Sequence, residues 1–343
     1  MAVWTLAEQA GGRLKRVSYE LLTWGRHLAD GLEASGRPAE LCAIALGARL
    51  REEDLEELTE RGADRVCVAE SPGLDPFLVE AHAGVLEMLV RWGRPEIIIA
   101  AATTAGRTLM PYLAVRLETG LTADCTRLEI DPDTGHLVQI RPAAGGKVLA
   151  TIMTADHRPQ MATVRPHAAQ PPPRRPAAPA LGACITRVDV PDGLAESPVE
   201  WLALRAEQAA GAAVQDAERV VAGGRGLKRA EGFGVVRNLA RALEAAVGAS
   251  REAVDRGWIG YPHQVGLSGK TVTPRLYVAV GISGAIQHLA GMQTADVIVA
   301  VNEDADAQIF QVADLGVVGD LFEVVPALVE EVERRRAARE GDG

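Results

Sequence analysis

Short, largely apolar runs rich in Val, Ile, Leu and Ala, four to six residues long, recur along this chain and alternate with longer segments whose apolar residues fall at helical spacing. In the first half the runs occupy residues 3–7, 41–46, 66–69 and 97–101, and the helical patterns residues 18–33, 51–60 and 75–92. A strand that is apolar at every position is buried on both faces, and a helix between two such strands returns the chain for a parallel neighbour. The chain therefore reads as α/β with parallel-type sheets. Ser18, ahead of Tyr19 and Glu20, reads as a helix N-cap, and Ser35-Gly36-Arg37-Pro38 as the stop of the helix it opens. Residues 123–164 turn strand-rich, with DPDTG at 131–135 as a tight turn.

The rhythm breaks at RPHAAQPPPRRPAAP, residues 165–179. Proline at this density supplies neither helix nor ladder, so the segment reads as an extended connector. This predicts an N-terminal α/β domain over 1–164, a Pro-rich linker over 165–184 and a C-terminal domain over 185–343. A strand over 185–190 and a helix over 201–213 would open the second domain, and RVVAGGRG at 219–226 would begin its α/β core.

At 343 residues, 48% of them apolar, the chain can fill two cores. A formal charge of −10 without a basic stripe argues against nucleic acid, because phosphate neutralisation needs clustered Lys and Arg. The cluster RRRAAR at 334–339 reads as a cationic helix end. Cys42, Cys67, Cys125 and Cys184 stand apart from one another and from any His at metal spacing, so they read as buried thiols and predict no metal. No apolar run approaches 18 residues and the N-terminus does not resemble a signal peptide, which predicts a cytoplasmic protein without membrane insertion.

The chemistry concentrates in residues 263–325. There the apolar run 276–280 leads into Gly281-Ile282-Ser283-Gly284 and a helix expected to open at Ser283 and to include Ala285, Ile286, Gln287 and His288. Gly281 and Gly284 would let the backbone approach a pyrophosphate, with unpaired N–H groups aimed at it. The run 297–301 ends at Asn302, and 315–318 ends before Gly319, Asp320 and Leu321. Strand ends carrying polar groups mark the rim of a parallel sheet where nucleotides bind. Arg225 follows a second strand-then-glycine element, and Ser250-Arg251 follows a helix expected to end near Gly248. Gln264-Val265-Gly266-Leu267-Ser268-Gly269-Lys270-Thr271 is not a P-loop, because Gln264 stands where its first glycine belongs.

The strings GGRGL, VGASREAVDRG, QVGLSGKTVTPRLYVAVGISGAIQHLAGM and VIVAVNEDADAQIFQVADLGVVGDLFEVVP, with TGLTADCTRLEID and HRPQMATVRP in the first half, resemble the alpha subunit of electron-transfer flavoproteins over almost the whole chain. The resemblance implies an FAD-binding C-terminal domain of the sirtuin/deoxyhypusine-synthase-like type. It also implies a heterodimer with an electron-transfer flavoprotein beta subunit. The role implied is electron carriage from dehydrogenases such as acyl-CoA dehydrogenases toward a quinone oxidoreductase, and not turnover as an enzyme. Carried over by position, FAD contacts fall on Arg225, Ser250, Arg251, Gln264, Val265, Gly266, Leu267, Ser268, Ser283, Gly284, Ala285, Ile286, Gln287, His288, Asn302, Asp320 and Leu321. Within that set, Ser268 would donate to flavin N5, and His288 and Arg251 would supply positive charge or donors near N1 and the C2 carbonyl. Arg107, Arg116 and Asp124 could face the partner subunit. Leu267-Ser268 resembles the branch linked to nitrogen fixation or electron bifurcation, which is the alternative to a simple shuttle. A NAD-dependent enzyme on the same fold is the reading from a different class; its four-Cys zinc module is absent from this sequence.

Overall fold

A computed structural model describes residues 1–143, 148–175, 184–203, 214–215 and 217–341, with side chains to residue 337. The chain forms two compact units, Met1–Ala203 and Leu204–Gly343.

The first unit runs β1 (Ala2–Ala7), β2 (Gln9–Ala10), β3 (Arg13–Leu14), α1 (Arg16–Ala34), β4 (Glu40–Gly47), α2 (Glu52–Glu60), β5 (Arg65–Glu70), α3 (Val79–Gly93), β6 (Ile97–Ala101) and α4 (Thr104–Arg116). It continues with β7 (Leu121–Cys125), β8 (Arg127–Ile130), β9 (Leu137–Ala143), β10 (Val148–Met153), β11 (Gln160–Val164) and β12 (Ile185–Val188). Seven strands form one parallel sheet in the order β12-β5-β4-β1-β6-β11-β7. β8, β9 and β10 form a separate antiparallel sheet, joined at the DPDTG turn, where Asp131 Oδ1 accepts from the Asp133 and Thr134 N–H groups and the Thr134 hydroxyl. Alternate residues of the central strands enter two cores. Val3, Leu41, Ala43, Val66 and Ile97 pack with α1 on one face, and Trp4, Cys42, Ile44, Cys67 and Ile98 pack with α3 and α4 on the other. Both sides of the pleat are therefore apolar, as the apolar runs require.

Three expectations about this half are corrected, and one helix, α4, was not expected from the sequence. Ser18 is not an N-cap: it lies inside α1, whose cap is Lys15, and its hydroxyl donates to the Glu8 carbonyl while accepting from the Glu8 N–H. α4 carries Pro111 within it and a weak apolar period, which hid it in the sequence. The described part of the Pro-rich segment does not separate domains. It lies along the first unit, with Arg165 paired to Asp124, the His167 N–H donated to Glu20 and Arg174 bound to Glu60. Finally, Ile185–Val188 does not open the second unit: β12 pairs in parallel with β5 and closes the edge of the first sheet. A four-residue strand carries no signal saying which sheet it joins. The expected helix over 201–213 falls at 204–213 outside the described residues. Arg107 and Arg165 both reach Asp124, and Arg116 reaches Glu87, so these charges have partners within the chain.

Burial pushes the Cys42, Cys67 and Cys125 thiols up to about 12, 11 and 12, so none holds appreciable thiolate near neutrality, whereas Cys184 is half-buried. Titration of the native chain with a thiol reagent is expected to show one fast thiol of the four, with the other three appearing on unfolding; two or more fast thiols would contradict the burial.

The second unit runs β13 (Arg219–Gly223), α5 (Phe233–Ala242), β14 (Ala246–Ala249), α6 (Arg251–Asp255), β15 (Leu276–Val280), α7 (Ile286–Leu289), β16 (Ile298–Asn302), β17 (Leu315–Val318) and α8 (Leu321–Gly341). Its five strands are parallel in the order β14-β13-β15-β16-β17. The chain thus steps outward from β13 in one direction and then returns to the other side, placing a topological switch point between β13 and β15. The helix expected to end near Gly248 stops at Ala242, and the small buried residues AVGA form β14. Among the described residues, no helix is long and apolar enough to cross a membrane and no group of His, Cys, Asp and Glu could hold a metal.

Candidate functional site

Each strand of the second sheet delivers sequence-identified residues at its C-terminal end. Arg225 follows β13, Ser250 and Arg251 follow β14, and Ser283 to His288 follow β15, while Asn302 ends β16 and Asp320-Leu321 follow β17. The Gln264–Ser268 loop joins the same rim, since the Val265 N–H donates to the Ala249 carbonyl at 2.9 Å and the Leu267 N–H to the Gln287 carbonyl at 2.7 Å.

The glycines act between turns of the protein. Gly226 donates to the Gly281 carbonyl at 2.9 Å, and a Cβ on Gly226 would lie 2.7 Å from Gly281 Cα. Gly284 has φ +81°, and a Cβ there would lie 2.2 Å from the Ile309 nitrogen. Gly281 and Gly284, expected to let backbone approach a pyrophosphate, also allow neighbouring backbone of the protein to close. Their left-handed conformations also interrupt helical geometry after β15, so the helix does not open at Ser283. α7 begins at Ile286 and is four residues long. What remains in front of it is useful. The N–H groups of Ser283, Gly284, Ala285, Ile286 and Gln287 donate to no acceptor among the described residues, and four of these five residues are exposed, so successive donors face outward as in an anion-binding nest.

Asn302 spends both side-chain groups on the protein. Its Nδ2 donates to the Ile282 carbonyl at 2.9 Å and its Oδ1 accepts from the Asp304 N–H at 3.0 Å, which locks the β15 turn to the end of β16. Asp320 accepts from the Phe322 N–H at 2.8 Å ahead of α8, and buried Leu321 packs beneath Gly281. These three residues support the rim through contacts within the chain.

Arg225 and Arg251 are exposed cations. Arg225 lies 3.7 Å from Glu252 and Arg251 lies 3.2 Å from Asp255. The Arg256 hydrogen bond, and then the Arg225 charge, hold the Glu252 carboxyl below its ordinary range. Exposed pairs of this kind are worth ~0–1 kcal/mol, so a phosphate or an anionic ring can replace the carboxylate at little cost. Ser268 is exposed, and Gln264 Nε2 donates to its Oγ at 3.2 Å, leaving the hydroxyl proton for another acceptor.

Of the two roles expected of His288, positive charge or a donor, burial removes the first. It is 6% exposed, and burial lowers its pKa to about 4, so the ring is neutral near pH 7. Nε2 lies 2.9 Å from the Tyr277 hydroxyl, and buried Nδ1 has no hydrogen-bond partner. The contacts do not join His288 to Arg251. Tyr277 escaped the sequence reading because it sits in the apolar run of β15, where an aromatic looks like core.

Strand order, rim position, close-packed glycine turns and outward N–H groups together define an α/β protein with a site for a phosphate-bearing cofactor. Comparison with known proteins gives the family. The Electron transfer flavoprotein domain matches residues 3–192, and the Electron transfer flavoprotein FAD-binding domain matches residues 213–293. The chain is 42% identical to the Electron transfer flavoprotein subunit alpha of Thermoanaerobacterium thermosaccharolyticum, over 97% of this chain and 98% of that one. It is 43% identical to the subunit of the same name from Megasphaera elsdenii, over 97% of each chain. It is 42% identical to Protein FixB of Azorhizobium caulinodans, over 99% of this chain and 90% of that one. The chain belongs to the electron-transfer flavoprotein alpha subunit family, and its cofactor is FAD. The residues present suit that group chemically: unpaired backbone N–H groups are donors of the kind phosphate oxygens require, and the exposed Ser268 hydroxyl is a donor of the kind a ring heteroatom requires. Asn302, Asp320 and Leu321 lie beyond the matched FAD-binding segment.

Proposed function

We propose that this chain pairs with a beta subunit and holds one FAD on the β13–β17 rim, carrying electrons from dehydrogenases such as acyl-CoA dehydrogenases toward a quinone oxidoreductase. The observation that carries this reading is the run of five unpaired N–H groups from Ser283 to Gln287 beside the Gln264–Ser268 loop. When bound, FAD supplies reversible one- and two-electron reduction. Ser283 to Gln287 bind its pyrophosphate, and Arg225 gives up Glu252 for a phosphate or ribose oxygen. Ser268, oriented by Gln264, presents its hydroxyl proton to the ring edge. Because His288 is neutral, Arg251 supplies the positive charge that favours negative charge arriving on the ring.

Arg251→Ala is expected to lower the first reduction potential of the bound flavin, reducing the reduced-to-oxidised ratio at fixed potential a few-fold, since a solvated charge contributes ~1 kcal/mol or less. A redox titration identical to the wild type would remove Arg251 from this role. Leu267-Ser268 favours a second reading, an electron-bifurcating or nitrogen-fixation-linked complex. Nucleotide analysis of the copurified subunits separates the two: one FAD with AMP supports the shuttle, and two FAD support bifurcation.

A further inference from the structure

We propose that Tyr277 is a positioning residue: its hydroxyl donates to His288 Nε2, fixes the Nδ1–H tautomer, and holds α7 where its backbone meets the Gln264–Ser268 loop. This rests on the FAD reading above, because that loop presents Ser268 to the cofactor.

Tyr277 is fully buried, and its hydroxyl lies 2.9 Å from His288 Nε2. Burial raises the phenol's pKa, so it keeps its proton, and no other acceptor among the described residues reaches it. If Nε2 carried the ring proton, the Tyr277 proton would have no acceptor and Nδ1 would be a bare lone pair. Leaving a buried donor unpaired is costly, so the opposite arrangement is favoured, with the hydroxyl as donor and Nδ1 protonated. The Val265 backbone carbonyl acts on the ring in the direction that favours protonation, against burial, although no hydrogen bond of good geometry closes on Nδ1. A proton at Nδ1 faces that carbonyl, whereas a bare lone pair there would face it oxygen to nitrogen. The backbone already converges here: Leu267 donates to the Gln287 carbonyl, and a Cβ on Gly266, at φ +141°, would lie 3.5 Å from His288 Cα.

The test uses the full-length chain coproduced with its beta subunit and labelled with nitrogen-15. Long-range imidazole correlations report the tautomer, and His288→Gln identifies the ring. The wild type is expected to show protonated Nδ1 and bare Nε2. Tyr277→Phe is expected to leave Nε2 without a donor, so that the Nδ1–H form is no longer the single tautomer, and to raise the FAD dissociation constant about threefold to tenfold, the scale of one hydrogen bond. A wild-type ring protonated at Nε2, or a Tyr277→Phe complex with unchanged FAD affinity, overturns the proposal. Should the variant fail to fold, the wild-type ring decides by itself. A wild-type complex that takes up no FAD overturns the cofactor reading, and the tautomer still decides the Tyr277 contact.

Discussion

Gly284→Ala is expected to destabilise the C-terminal unit by about 2–5 kcal/mol and to abolish stoichiometric FAD retention. Two costs add. Alanine in the left-handed conformation at φ +81° is strained by ~1–2 kcal/mol, and forcing an extra carbon into packed structure costs ~1–3 kcal/mol. The new Cβ would meet the Ile309 nitrogen and Cα at 2.2 and 2.6 Å, and backbone cannot rotate away as a flexible side chain can. Relief requires the Ser283–Gln287 donors to shift, which is why binding falls together with stability. Gly234→Ala is the control, since that residue lies in α5 with nothing within 4 Å of the place an added methyl group would take and no left-handed φ. There alanine is expected to be neutral or stabilising by up to ~1 kcal/mol. Denaturation midpoints and FAD content of the two variants check both statements.

The second large effect is a loss of stability in mild acid centred on His288. Its folded pKa, about 4, lies below the ordinary value of 6.5, so between these values the unfolded chain binds more protons than the folded one. The stabilisation is therefore complete above pH 6.5 and is lost as pH falls toward 4. The gap corresponds to about 3 kcal/mol, of which about 2 kcal/mol is gone by pH 5. Desolvation of buried His82 acts in the same direction in the N-terminal unit, so a local readout is needed. Glu20, whose pKa is lowered by its hydrogen bonds to His167 against the penalty of burial, adds its loss only below the ordinary carboxylate range. Hydrogen exchange of peptides spanning residues 276–302 is expected to show protection falling from pH 7 to 5 after correction for intrinsic exchange. In His288→Gln the fall should be largely absent, and a slope equal to the wild type would contradict a buried neutral imidazole.

The strand runs could be read because both faces of each parallel sheet are covered, which leaves apolar residues at most positions of β1, β4, β6, β13 and β15. The same logic placed Arg225, Ser283 and Asn302 at one rim, because in a parallel sheet every strand ends on the same side; Ser250 and Arg251, read as following a helix, join them because that segment is β14. Local signals failed where the deciding contact is distant in sequence. β12 looks like any short strand until β5 is beside it, and Ser18 looks like a cap until its hydroxyl is seen to bind Glu8. Glycine in a Gly-rich turn suggested ligand approach, yet Gly226, Gly281 and Gly284 are required by neighbouring backbone. His288 invited a charge assignment that its burial forbids, and Tyr277 became visible only once β15 and α7 were brought together.

The central claim is that this rim holds an FAD that exchanges electrons singly. Stepwise reduction of the copurified alpha and beta subunits, followed by absorption and electron paramagnetic resonance, tests it most directly. A flavin radical rising and then falling before full reduction is the result expected. Copurified subunits that lack FAD, or an FAD that passes from oxidised to fully reduced with no radical at any point, would contradict it.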